Sequence, residues 1–197
     1  MILHLIRHAR AAGADGHCVG HADLPLSRAS QDALPATASA WNFAACDGLE
    51  CVTSDLRRAR DTATFLMPPA LHIGTDPRLR EMNFGEWDGR TWDDIERTDG
   101  PALQTWMDEW TRVRAPGGES FADVIERMRD FLSDLRRNDD GTAVVVAHAG
   151  SIRAAAVVLL DLPPARAFSL AVDHVRLHTF ALSTSTSTLI RWNASSF

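Results

Sequence analysis

Two short apolar runs, each followed at once by a histidine, constrain the fold of this chain most strongly. Residues 2–6 read Ile-Leu-His-Leu-Ile and lead directly into Arg7-His8. Residues 143–147 read Ala-Val-Val-Val-Ala and lead directly into His148. Such continuous runs are typical of parallel strands that are buried on both faces. We therefore expect both histidines at the carboxyl ends of central strands, where open α/β sheets bind their ligands.

Strand-like and helix-like segments alternate along the rest of the chain. Further strands are predicted near residues 49–53, 71–74, 175–182 and 188–192, and helices near 27–45, 55–66, 91–97, 101–112, 120–137 and 151–160. This alternation predicts an α/β fold, a three-layer α/β/α sandwich with a mostly parallel central sheet. No repeat, linker or shift in composition divides the chain, so we expect a single domain over residues 1–197.

The composition excludes several classes of function. A formal net charge of −6 argues against a nucleic-acid partner. No apolar run approaches the roughly 18 residues of a membrane span, and the start of the chain does not resemble a signal peptide, so we expect a cytoplasmic protein without a membrane partner. All 20 basic residues are arginines, which excludes lysine Schiff-base chemistry and a lysine-containing phosphate loop. Arginine remains well suited to binding phosphate, because its planar guanidinium group can donate to two oxygens at once.

A third strand end adds cations to the two histidines. The predicted strand at residues 49–53 is followed by Ser54 and by Arg57 and Arg58 in the first helical turn. Parallel strands bring their carboxyl ends to one edge, and the helix N-termini that follow them attract anions. Each feature alone has a structural explanation, as for His4, a histidine within a core strand. Their conjunction at three strand ends predicts a phosphate pocket.

Four segments carry a resemblance to a known family. They are Arg7-His8, residues 54–63 around Arg58, residues 79–89 around Glu81 and residues 146–150 around His148. In this order and spacing they resemble the histidine phosphatase superfamily, which has the phosphoglycerate mutase-like fold. The resemblance covers essentially the whole chain, and the four motifs together are far more specific than an Arg-His pair alone.

The resemblance implies a catalytic role for each matching residue. His8 is expected to be the nucleophile that forms a phosphohistidine, and Glu81 the acid that protonates the leaving oxygen and later helps to activate water. Arg7, Arg58 and His148 are expected to hold the phosphoryl oxygens. Neither a metal nor another cofactor is implied. Glu86 is a rival for the acid, although a partly exposed loop residue is its simpler interpretation.

Three further residues complete the predicted substrate site, and two departures from the family pattern affect it. Ala149, which follows the second histidine, and Arg10 and His21 in the loop after the first strand are expected to contact substrate. The family usually has Gly after the catalytic His and Asn six residues beyond it, where this chain has Ala9 and Ala14. We expect the phosphate contact that these departures remove to be made instead by Arg10 or by a backbone N–H group.

The substrate is narrowed by residues 16–27, which are similar to the corresponding segment of the α-ribazole phosphatase branch. That similarity implies α-ribazole 5′-phosphate and a role in cobalamin biosynthesis, although Val19 stands where the branch usually has Tyr. A phosphoglycerate mutase-type isomerase is the first alternative. Mutases of this family have an added segment that covers the active site, and the stretch between Glu81 and His148 has little room for one. A non-catalytic phosphate-binding module is the second, motivated by the altered residues 9–11.

Two histidine pairs have spacings that invite a zinc interpretation, namely His17 with His21 and His174 with His178. Neither pair has a predicted third ligand, so we expect no metal site. The expected partner is a small-molecule phosphate ester. The last hairpin leaves a sheet edge that allows a homodimer without requiring one.

Overall fold

The computed structural model describes residues 1–135 and 141–196. Its strands are β1 Ile2–Arg7, β2 Leu49–Thr53, β3 Ile73–Thr75, β4 Thr142–Ala147, β5 Leu177–Leu182 and β6 Ser187–Ala194. Its α-helices are α1 Arg28–Trp41, α2 Arg57–Leu66, α3 Trp92–Glu109, α4 Phe121–Leu135 and α5 Ala149–Leu160. Short 3-10 turns occupy Phe43–Ala45, Pro77–Leu79, Gly85–Trp87 and Pro164–Ser169. None of the helices in the described residues has the length and apolarity that a membrane crossing requires.

The strands form one six-stranded sheet in the order β3-β2-β4-β1-β5-β6. The neighbours among β1 to β4 pair in parallel, whereas β5 and β6 are antiparallel. This confirms the predicted α/β fold with a mostly parallel sheet. β1 and β4 are direct neighbours in register from Ile2 opposite Thr142 to Arg7 opposite Ala147. His8 and His148 therefore leave the sheet side by side at one edge, as the sequence predicted.

The two faces of the sheet support two helical layers. Leu5 and Val145 belong to a buried cluster with residues of α4 and α5. Their neighbours along the same strands, Ile6 and Val144, belong to a second cluster with residues of α1 and α2. Because side chains alternate between the faces of a strand, a run that is apolar at every position can serve both clusters. This arrangement confirms the three-layer sandwich.

Several element boundaries differ from the predictions. The helix that carries Arg58 begins at Arg57 rather than near residue 55, because the Ser54 hydroxyl accepts from the N–H of Leu56 in a turn before the helix. The helices predicted at 91–97 and 101–112 are one helix, α3, kinked at Asp99. α5 begins directly after His148 instead of at Ser151. The predicted helix end near residue 137 lies outside the described residues.

Two buried histidines in the sheet are expected to make the fold acid-sensitive. Burial, with a smaller repulsion from a nearby arginine, lowers the pKa of His4 and of His178 from 6.5 to about 4. Below pH 6.5 the unfolded chain binds protons that the native state cannot bind, so stability is lost as the pH falls from about 6.5 to about 4. Each residue is expected to contribute ~3 kcal/mol of this loss.

Urea unfolding at several pH values across that window measures the effect. A His4→Asn, His178→Asn double variant should show a shallower dependence of the unfolding free energy on pH, whereas His72→Ala, at an exposed position, should keep the wild-type slope. Equal slopes in all three proteins would contradict the assignment.

Candidate active site

A cavity of about 370 Å³ opens at the sheet edge where β1, β2 and β4 end. Among its lining residues are five that the sequence predicted: Arg7, His8, Arg10, Arg58 and Glu81. The cavity wall also includes Phe84, Trp92 and His174. Segments far apart in sequence therefore meet around one space, because parallel pairing aligns the ends of their strands.

The hydrogen bonds of His8 fix its tautomer. Its Nδ1 lies 2.7 Å from the carbonyl oxygen of Ala9, which can only accept, so Nδ1 carries the proton. Its Nε2 accepts from Nε of Arg58 at 3.3 Å and therefore presents a lone pair. Burial, and next the charge of Arg58, lower the pKa of His8 well below its usual value. The ring is thus neutral near pH 7, as a nitrogen nucleophile must be.

Arg58 is fully buried and joins the nucleophile to a fixed loop. Its two terminal nitrogens donate to the carbonyl oxygens of Ala22 at 2.7 Å and Gly20 at 2.6 Å. Asp88 holds the same loop from its N–H side, accepting from Gly20, His21 and Ala22 at 2.6–2.8 Å. Together Arg58 and Asp88 clamp residues 20–22. The guanidinium therefore keeps one orientation beside His8.

Arg7 and His148 have buried polar atoms that no described residue satisfies. Arg7 donates through one terminal nitrogen to the carbonyl of Val172 at 2.7 Å, but its buried Nε has no hydrogen-bond partner in the described part of the chain. His148 is fully buried, with its ring centroid 4.8 Å from that of His8, and within residues 1–135 and 141–196 neither ring nitrogen has a partner. Leaving such a group unsatisfied costs about 1–3 kcal/mol. Burial, followed by His8, also lowers the pKa of His148, so the ring is neutral and offers an N–H to a ligand beside His8.

Glu81 is positioned by backbone donors from two segments. Its Oε1 accepts from the N–H groups of Met82 and Gly150, both at 2.9 Å. A Cβ on Gly150 would lie 2.1 Å from that oxygen, so a larger residue there would push the carboxylate out of this position. Arg127 holds the carbonyl of Glu81 at 3.0 Å. The carboxyl group thus lies at the N-terminus of α5, next to the histidine that precedes this helix.

His174 is a cavity residue that sequence reasoning missed. Its Nδ1 donates to the carbonyl of His8 at 2.7 Å, its ring centroid lies 5.2 Å from that of His8, and it lines the cavity. Burial, and next Arg7, lower its pKa to about 4. Val175 beside it has a φ of 53°, rare for a β-branched residue, and donates to the carbonyl of Arg7 at 3.0 Å. Strained residues of this kind cluster at functional sites.

The structure places the other predicted contact residues around the cavity without making them part of its wall. Nε2 of His21 lies 3.0 Å from the carbonyl of Glu81, so His21 supports the acid from behind. Ala149 is half-buried at the first position of α5, and Glu86, the rival acid, is exposed. Over residues 1–135 and 141–196, no three His, Cys, Asp or Glu side chains are grouped to hold a metal ion.

The comparisons with known proteins agree with this geometry. The chain is 34% identical over 169 residues to the glucosyl-3-phosphoglycerate phosphatase of Mycolicibacterium vanbaalenii, covering 81% of this chain and 74% of the relative. It is 29% identical over 181 residues to the adenosylcobalamin/alpha-ribazole phosphatase of Salmonella typhimurium, covering 88% and 86%. The structure of a mycobacterial glucosyl-3-phosphoglycerate phosphatase in complex with VO3 superposes with a TM-score of 0.85 at 30% identity, covering 98% of each chain.

These relatives are all phosphatases, and their similarity extends over most of the chain. Residues 3–195 match the sequence profile described as "Histidine phosphatase superfamily (branch 1)". The profile thus includes every residue of the cavity, from Arg7 to His174. This chain therefore belongs to the histidine phosphatase superfamily.

Proposed function

We propose that this protein is a phosphomonoesterase that works through a phosphohistidine at His8 and needs no metal. One observation carries the proposal: the unprotonated Nε2 of His8 lies at the cavity beside buried nitrogens of Arg7 and His148 that have no hydrogen-bond partner among the described residues and that an anion would satisfy. Phosphoryl transfer requires mainly positioning and charge stabilisation. The arrangement supplies both, because Arg7 and Arg58 bring two positive charges beside the nucleophile.

The first step of the proposed reaction transfers the phosphoryl group to the enzyme. As the substrate binds, the Nε–H of Arg58 turns from Nε2 of His8 to a phosphoryl oxygen. The freed Nε2 lone pair then forms the bond to phosphorus while the bond from phosphorus to the ester oxygen breaks. Glu81, in its carboxylic acid form, gives its proton to the departing oxygen. Arg7, Arg58 and His148 hold the phosphoryl oxygens while negative charge is redistributed. The protonated alcohol then leaves the cavity.

The second step returns the enzyme to its starting state. Water attacks the phosphorus of the phosphohistidine, and the Glu81 carboxylate takes a proton from that water. The bond from phosphorus to Nε2 breaks, inorganic phosphate is released and the lone pair returns to His8. The hydrogen bond from Nδ1 of His8 to the carbonyl of Ala9 disperses the positive charge that the ring carries as an intermediate.

Two phosphate esters are candidates for the substrate. The similarity of residues 16–27 to the α-ribazole phosphatase branch, and the relative in Salmonella typhimurium, support α-ribazole 5′-phosphate and a role in cobalamin biosynthesis. The relative in Mycolicibacterium vanbaalenii supports glucosyl-3-phosphoglycerate. Steady-state assays of both esters, with phosphate release as the readout, compare them directly. Several other properties stay predictions from the sequence. They are a cytoplasmic location, a single domain, a homodimer and the absence of nucleic-acid and membrane partners.

The covalent intermediate is the sharpest test of the proposed function. Rapid quenching into alkali during turnover of p-nitrophenyl phosphate should trap one phosphoryl group per active site, because phosphohistidine survives alkali and is lost in acid. Peptide mapping should locate it at His8. A group mapped to another residue would contradict the mechanism. A reaction that required added bisphosphoglycerate and isomerised phosphoglycerate would instead support the mutase.

A further inference from the structure

A second cavity adjoins the phosphate cavity and is strongly cationic. It has a volume of about 460 Å³ and is lined by Arg7, Arg10, Asp173, His174 and Arg176. Three of these residues, Arg7, Arg10 and His174, also line the first cavity, so the two spaces lie side by side. The proposed reaction requires only the first of them. The second therefore needs an explanation of its own.

The charges that line this second cavity do not cancel. Three guanidinium groups face one carboxylate, that of Asp173, which already accepts from the side-chain amide of Asn193 at 2.8 Å. His174 adds no charge near pH 7, because burial lowers its pKa to about 4. Among the residues that the structure describes, the side chains of Arg10 and Arg176 have neither a hydrogen bond nor an ion pair. With Arg7 assigned to the phosphoryl group at His8, Arg10 and Arg176 still leave this cavity with an excess of about one positive charge.

We propose that this second cavity is a subsite for a second anionic group of the substrate, a carboxylate or a further phosphate, bound by Arg10 and Arg176. The proposal rests on the proposed function, which places the scissile phosphoryl group at His8. Arginine forks bind either anion in a two-point manner. The sequence led us to expect Arg10 to take over an anion contact that the departures at Ala9 and Ala14 remove. Its position between the two cavities gives it a role in choosing the substrate.

The subsite distinguishes between classes of phosphate ester. An ester whose leaving group is a carboxylic acid presents the second anion, as the glycerate part of a phosphoglycerate does. An ester such as α-ribazole 5′-phosphate, whose nucleoside has no acidic group, leaves Arg10 and Arg176 without a partner. We therefore expect the protein to prefer phosphate esters of hydroxy acids.

A matched pair of ligands tests the subsite. 3-Phosphoglycerate and glycerol 3-phosphate differ in having a carboxylate or a hydroxymethyl group at the same carbon. Each is tested as a competitive inhibitor of p-nitrophenyl phosphate hydrolysis, so neither needs to be turned over. In the wild type, 3-phosphoglycerate should bind at least ~10-fold more tightly, in line with one or two charge-assisted hydrogen bonds. In an Arg10→Ala, Arg176→Ala double variant, that preference should fall to about 2-fold or less.

An Arg129→Ala variant is the matched control, because it removes a positive charge from an exposed position on α4. It should keep the wild-type preference. An equal affinity of the wild type for both ligands would overturn the subsite, and so would a preference that survives in the double variant. Neither result would affect the proposed function. A wild type that hydrolyses no phosphate ester, p-nitrophenyl phosphate included, would overturn the proposed function itself.

Discussion

Replacement of His8 by alanine is expected to lower the turnover of p-nitrophenyl phosphate by at least ~10³-fold, because the variant has no group that can form the covalent intermediate. His8 is buried and lines the cavity, so the fold of the variant must be checked separately from its activity. Steady-state assays with thermal unfolding as a check on folding measure both quantities. Inorganic phosphate should still bind to the variant, because Arg7 and Arg58 remain.

His72→Ala provides the control for this experiment, because it removes an exposed histidine outside the cavity. It should keep the wild-type rate. Equal rates for the wild type and His8→Ala would leave no catalytic role for this residue. If both rates equalled the uncatalysed rate while phosphate binding was retained, the protein would instead be a phosphate-binding module.

Replacement of Glu81 by glutamine is expected to have an effect that depends on the leaving group. Hydrolysis of an alkyl phosphate, whose alkoxide needs a proton to depart, should slow by ~10²–10⁴-fold, the usual contribution of a general acid. Hydrolysis of p-nitrophenyl phosphate should slow much less in the phosphoryl-transfer step, because nitrophenolate leaves without a proton. Burst-phase measurements separate this step from the later attack of water. An equal decrease of the burst-phase rate with both esters would contradict the role of Glu81 as the proton donor.

Gly150→Ala should reproduce much of this behaviour without altering the carboxyl group itself. The added methyl group would lie 2.1 Å from Oε1 of Glu81 and must displace it. Gly100→Ala is the matched control, because a Cβ at that position in α3 meets no atom of the other described elements within 4 Å. It should have the wild-type selectivity between leaving groups. A Gly150→Ala enzyme with unchanged rates would show that the position of this carboxyl group does not matter.

The part of the site that could be predicted from the sequence is the part created by parallel strands. Apolar runs before His8 and His148 marked the ends of β1 and β4, and direct pairing of these strands was enough to bring the two rings to 4.8 Å. Arg58 could be predicted for a similar reason, since it lies one helical turn beyond the end of β2. The role of Glu81 could be predicted only from the family resemblance, because no periodic pattern marks its loop.

His174 could not be predicted because its position depends on long-range pairing. It reaches His8 since β5 pairs antiparallel with β1, which returns the residues before β5 to the edge where β1 ends. In the sequence it was notable only for its spacing from His178, yet His178 lies within β5 and accepts from the N–H of Asn193. The left-handed conformation of Val175 gives no signal either, because valine rarely adopts it.

The clamp that Arg58 and Asp88 form on residues 20–22 divides the pocket into two halves that differ in their freedom to change. Substitution of Arg58 or Asp88 would disturb the donors and acceptors that orient the nucleophile. Ala11, Ala14, Val19 and Trp92 line the same cavity and take no part in the clamp. A new specificity can therefore arise by changing these lining residues, which makes them the natural target for laboratory evolution of this enzyme.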